Sequence, residues 1–137
     1  MQVKTCRGGN QLVACKTVQD QVVIQDLATN ERKSILLQGP MRCAVSPYFI
    51  FVTTERIGLH MFSTDGGLVC ILPESMEARC VALHPCNTNI LAIGFGDGTV
   101  RIWDMSTQAY VSSFKQHADG ISSIRFSRDK TFLHCLG

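Results

Sequence analysis

The sequence predicts an all-β chain assembled from small four-stranded antiparallel sheets, and three observations predict it. Apolar residues recur at every second position within short runs, not at helical spacing. Pro47, Pro73, Pro85 and Gly-rich turns interrupt any longer pattern. The runs themselves return about every forty residues, a period that marks repeated supersecondary units.

The clearest unit covers residues 89–105. It is an apolar run, a Gly96-Asp97-Gly98 turn, and then strict alternation of Val100, Ile102 and Asp104 with Arg101 and Trp103. That pattern reads as a β-hairpin. It recurs at residues 12–27 and 49–63, with strand ends aligned at Asp26, Ser63 and Asp104 in steps of 37 and 41 residues. A short strand precedes a hairpin at 41–46, 78–84 and 121–127, where Val45, Leu83 and Phe126 align in steps of 38 and 43 residues. A further polar–apolar strand follows at 32–37, 68–72 and 109–114. Each unit thus holds four strands, and sheets of this kind set around a shared axis make a β-propeller. Blade one is expected over residues 1–38, blade two over 39–73 and blade three over 74–116, while 117–137 start a fourth and stop in its second strand. The expected architecture is part of a propeller, about three four-stranded blades plus the start of a fourth. Unpaired edges at both ends of such an arc should leave the isolated chain poorly soluble or oligomeric.

Composition narrows the class. With 137 residues and 45% hydrophobic content, the chain can build a packed core. Charged residues are 18% and the formal net charge of +2 is spread along the chain, which is no nucleic-acid footprint. The longest apolar stretches, 48–52 and 67–72, are far short of the ~20 residues a membrane-spanning helix needs. The first residues carry no apolar signal segment, so an intracellular location is expected. The seven cysteines (Cys6, Cys15, Cys43, Cys70, Cys80, Cys86 and Cys135) are odd in number and mostly sit in apolar runs, so they are read as reduced core residues.

The strings GDGTVRIWDM (96–105), ALHP (82–85) and QHADGISSIRFSRD (116–129) resemble the WD-repeat family. The match is strongest in blade three and weaker in blades one and two, where Gln25 and Phe62 stand at the position of Trp103. The resemblance implies a hydrogen-bonded network of His, Ser or Thr, Asp and Trp that pins each blade. Asp97 and Trp103 fit it, but Ile93 replaces the hydroxyl and residues 72–78 supply no His. His117 fits the His position of blade four, where Cys135 replaces the hydroxyl. Structural roles are therefore expected for Asp97, Gly98, Trp103, Asp104 and His117, with apolar packing carrying more of the load. A narrower likeness, in residues 78–127, is to the Topless-type transcriptional corepressors.

Chemistry-bearing residues are few. Cys80, His84 and Cys86 invite a zinc reading, but their spacing fits no common finger and no Cys-x-x-Cys pair occurs. His60, His84, His117 and His134 lie in strands or blade junctions, with no nucleophile elbow nearby. Gly94, Gly96 and Gly98 precede an alternating strand, so they are hairpin glycines and not a dinucleotide loop. No catalytic residue, metal or cofactor is expected. A binding surface should lie on the loops that end the strands, with Arg42, Arg56, Arg79 and Arg125 as candidate partner-binding residues. Arg101, flanked by Val100 and Ile102, reads as merely exposed.

The expected function is a non-catalytic scaffold that docks protein or peptide partners in a multi-subunit complex for transcriptional corepression. The alternative is a propeller subunit of an RNA-processing or ribosome-assembly complex, and a third reading is an enzyme whose catalytic domain lies outside this chain. Neither a membrane nor direct nucleic-acid contact is expected. The expected location is nucleus or cytoplasm, and nucleus on the corepressor reading.

Overall fold

The computed structural model describes residues 3–8, 11–46, 48–115, 117–118, 120–121, 123–126 and 133–136; in 3–8, 11–14, 18, 40–41 and 133–136 it describes the backbone alone. The expectations placed on Pro47 and on the side chains of Cys6, His134 and Cys135 lie outside the described residues. Every regular element among them is a strand. They fall into two compact units, Met1–Met76 and Glu77–Gly137.

The first unit holds two four-stranded antiparallel sheets. Sheet one runs in sequence order through β1 (Val3–Gly8), β2 (Gln11–Val18), β3 (Gln21–Asp26) and β4 (Arg32–Leu36). Sheet two does the same through β5 (Pro40–Val45), β6 (Phe49–Thr54), β7 (Leu59–Ser63) and β8 (Leu68–Ile71). Alternation on β3 sends Val22 and Ile24 inward. With Cys15 they pack against Cys43, Val45, Ile50, Val52 and Phe62 of sheet two, and Ile35 and Leu37 close the cluster. Burying each large apolar side chain contributes about 1.5–3 kcal/mol before chain entropy is set against it. β6 is buried on both faces from Ile50 to Thr54, which is why it reads as a continuous apolar run and not as an alternating one.

The second unit holds sheet three, made of β9 (Ala78–Leu83), β10 (Ile90–Phe95), β11 (Thr99–Asp104) and β12 (Ala109–Lys115), and a hairpin of β13 (Ser123–Phe126) and β14 (Leu133–Leu136). Cys80, Ala82, Ala92 and Val100 form its core with Ile121 and Ile124. At Gly94 the core is so tight that an added Cβ would stand 2.5 Å from Ile121 Cγ2 and 2.6 Å from Cys80 Sγ. The β9–β10 register shifts between Gly94 and Phe95.

The two sets of aligned positions occupy equivalent places. Asp26, Ser63 and Asp104 end the third strands β3, β7 and β11, while Val45, Leu83 and Phe126 end β5, β9 and β13. Each of the first three also caps the turn it enters. Asp26 Oδ1 accepts the Ala28 N–H at 2.9 Å, Ser63 Oγ accepts the Gly67 N–H at 3.1 Å and Asp104 Oδ1 accepts the Ser106 N–H at 2.8 Å. Aspartate and serine are interchangeable here because either oxygen satisfies a turn donor.

Three sequence expectations need correction. Cys70 and Cys86 are exposed, whereas Cys15, Cys43 and Cys80 are buried. Cys70 lies in an apolar run, but β8 is the outer strand of its sheet and all four of its residues are exposed. Gly94 is not a turn residue: it lies within β10, and of the three glycines only Gly98 has a positive φ, +88°. The first strand of sheet one, VKTCRG, alternates too weakly to have been singled out.

Candidate functional site

In each four-stranded sheet the turn between the second and third strands is fastened to the loop that leaves the fourth. In sheet one the Leu37 N–H donates to Asp20 O at 3.0 Å and the Gly39 N–H to Asp20 Oδ1 at 3.3 Å. The Glu55 N–H then donates to Gly39 O at 3.0 Å, which links that loop to the β6–β7 turn. In sheet two the Leu72 N–H donates to Leu59 O at 2.9 Å. The buried Ser75 hydroxyl accepts the Leu59 N–H at 2.9 Å and donates to Leu72 O at 2.6 Å. Thr54 Oγ1 accepts the N–H groups of Ile57 and Gly58 at 3.3 and 3.0 Å. Gly58 is required there, since its φ is +134° and a Cβ would run into Ser75 Oγ. In sheet three the Gly96 N–H donates to Glu77 O at 2.8 Å, the Ile121 N–H to Phe95 O at 2.9 Å and the His117 N–H to Gly98 O at 3.3 Å. Loop donors that would otherwise face water are thus satisfied by the chain itself, which holds these ends in one geometry.

Arg42 and Arg56 are exposed at this end of sheet two, on the start of β5 and in the β6–β7 turn. Arg79 is exposed on β9, with Gly96 beneath it; a Cβ there would stand 3.1 Å from Arg79 Nε. Arg125 is exposed too, but it sits on β13 opposite His134 and not in a turn. Arg101 is corrected: its guanidinium carbon lies 4.5 Å from the Phe95 ring centre and 5.6 Å from that of Tyr110, a cation–π clamp across three strands.

Asp97 Oδ1 accepts from Thr99 through both its N–H at 2.9 Å and its hydroxyl at 2.5 Å. These bonds hold its carboxyl below the usual carboxylate range. The Ser106 hydroxyl does the same for Asp104. Trp103 is buried edge-on to Tyr110, with ring centres 4.8 Å apart. Ile93 is fully buried and His117 half-buried. His84 Nδ1 accepts the N–H groups of Cys86 and Asn87 at 3.1 and 3.0 Å, so that nitrogen is taken and Cys86 faces solvent. Among the described residues, no group of three His, Cys, Asp or Glu side chains is placed to hold a metal ion. No helix among them is long and apolar enough to cross a membrane.

Sequence reasoning missed Thr53, Thr54, Gly58 and Ser75, which organise the end of sheet two. The available signal is Ser75, the only hydroxyl in the 72–78 segment, which has no histidine. It also missed two large apolar side chains beside them, Ile57 at 50% and Met76 at 65% exposure.

Four-stranded antiparallel sheets repeated in chain order, each with a capped third strand and a fastened turn, define a β-propeller scaffold. The chain belongs to the WD40 family: the family model of the anaphase-promoting complex subunit 4 WD40 domain matches residues 51–129. It is 33% identical over 98 residues to the guanine nucleotide-binding protein subunit beta-like protein of Encephalitozoon cuniculi, a match to 63% of this chain and 29% of that one. It is 29% identical over 80 residues to Protein TOPLESS of Arabidopsis thaliana, covering 58% of this chain and 7% of the relative. The chain therefore spans less than a third of the length of these relatives. A chain in the crystal structure of the mitotic checkpoint complex superposes with a TM-score of 0.75 over 97% of this chain and 42% of its own length; at 10% identity it shows the propeller fold alone. WD40 propellers are scaffolds for protein–protein interaction, in general without catalytic machinery.

Proposed function

We propose that this chain is a non-catalytic scaffold that docks protein or peptide partners within a multi-subunit complex, using the fastened turn ends of its sheets. The observation that carries the reading is the set of hydrogen bonds through Asp20, Thr54 and Ser75 in the first unit, which leaves Arg42 and Arg56 exposed on ordered backbone; in the second unit Gly98 fastens its own turn and Arg79 is exposed on β9. Recognition residues are commonly presented in this way, and arginine is favoured among binding hot spots. Arg125, exposed on β13 of the second unit, is a further candidate residue. Asp97, Gly98, Trp103, Asp104 and His117 have structural roles, since their contacts close turns and fill space. The blades correspond to residues 1–38, 39–73 and 74–116, with 117–137 opening a fourth.

The favoured setting is transcriptional corepression in the nucleus, supported by the likeness to Protein TOPLESS and to Topless-related protein 1 of Arabidopsis thaliana. Partners are proteins, with no direct contact to nucleic acid. Affinity capture from cell extract by the chain, with and without nuclease, tests this. Captured proteins that survive nuclease are the expected result, and capture that disappears with nuclease overturns it.

A further inference from the structure

We infer that the turn end of sheet two is a docking patch for an acidic peptide with apolar side chains, an inference that rests on the scaffold reading above. Two consecutive buried threonines each fix one arginine-bearing segment. Thr53 Oγ1 accepts the Arg42 N–H at 3.1 Å and donates to Arg42 O at 3.4 Å, where the β5–β6 register shifts. Thr54 Oγ1 holds the turn that carries Arg56 and Ile57. Ser75, bonded to Leu59 at the far side of the same turn, sets the place of Met76. Two cations and two large apolar side chains are thereby presented on backbone that is already ordered, so a partner meets little ordering cost.

The charge at this end points to an acidic occupant. Among the described residues neither Arg42 nor Arg56 forms an ion pair. Two of the acids at this end have partners of their own, since Asp20 Oδ1 accepts the Gly39 N–H and Glu74 has an interaction, while the side-chain carbons of Glu55 lie along Gly39. A peptide carboxylate therefore finds two planar guanidinium groups with donors to spare. Exposed Ile57 and Met76 give the same peptide somewhere to bury leucine-like side chains, and this separates it from a plain polyanion.

The test uses the full chain and a short fluorescent peptide in which glutamate alternates with leucine, read by anisotropy. R42Q/R56Q should weaken binding about tenfold or more, because removing the two cations strips the charged half of the contact. R32Q/K115Q, which removes two charges from the outer strands β4 and β12, should stay within about twofold. R42K/R56K, checked like the others for an unchanged circular dichroism spectrum, should fall between them, since lysine keeps charge without the bidentate fork. Glutamine in place of glutamate, or alanine in place of leucine, should each weaken the peptide. The inference is overturned if wild type does not bind the peptide, if R42Q/R56Q binds as wild type does, or if polyuridine of matched charge binds as tightly. Nuclease-resistant capture of proteins by both wild type and R42Q/R56Q would sink this patch and leave the scaffold standing; loss of all such capture would sink the scaffold itself.

Discussion

His60 is buried, stacked on Phe62 at 6.0 Å between ring centres, with its Nδ1 3.3 Å from Gly58 O, so that nitrogen carries the proton. Burial lowers its pKa below the ordinary value near 6.5, against a smaller opposing pull from the Gly58 carbonyl. The unfolded chain then binds more protons than the folded one just below that value, and stability rises with pH across the window. Urea midpoints should fall as pH drops from about 7.5 to about 5, and His60→Phe should flatten that slope. Gly94 makes a steric prediction. Gly94→Ala forces a methyl against Ile121 and Cys80 and should cost about 1–3 kcal/mol in chemical denaturation. Both effects were beyond the sequence, in which His60 is one of four histidines and Gly94 one of eleven glycines. What singles them out is the neighbour across the sheet or packed against its face, and spacing along the chain does not encode it.

At the level of elements, the repeat was legible because each third strand ends in a side chain that must cap a turn, and Asp26, Ser63 and Asp104 keep that oxygen at a constant interval. Alternation placed the strands to within a residue or two. It could not place the register shifts between Pro40 and Arg42, Met61 and Phe62, or Ile102 and Trp103, which add or drop a partner without altering the pattern. Nor could it rank exposure on outer strands, where a side chain is apolar whether or not anything covers it. Alkylation of the native chain should therefore label Cys70 and Cys86 and spare Cys15, Cys43 and Cys80, read by peptide mass spectrometry. Partial desolvation still raises the Cys70 thiol pKa, so it should need higher pH than an ordinary cysteine. Arg101 reaches across to Phe95 and Tyr110, which its apolar neighbours in sequence did not reveal; Arg101→Ser should lower the stability of sheet three by about 1 kcal/mol, followed through Trp103 fluorescence.

Across the whole molecule the outer strands are treated unequally. β4 carries Arg32 and Lys33 and β12 carries Lys115, but β8 is Leu-Val-Cys-Ile with every residue exposed. A bare apolar edge templates strand pairing between molecules, and a lysine blunts it. Val69→Lys should reduce concentration-dependent light scattering; unchanged scattering would mean that association runs through other surfaces. The repeats also interlock. Asp20 belongs to a turn of sheet one, yet its carboxylate seats the Gly39 amide, one residue ahead of β5. A blade is therefore not a self-contained cassette: a graft or truncation made at the obvious junction near residue 38 would part an anchor from what it moors, and a recombined chain would have to transplant that aspartate together with the segment it serves.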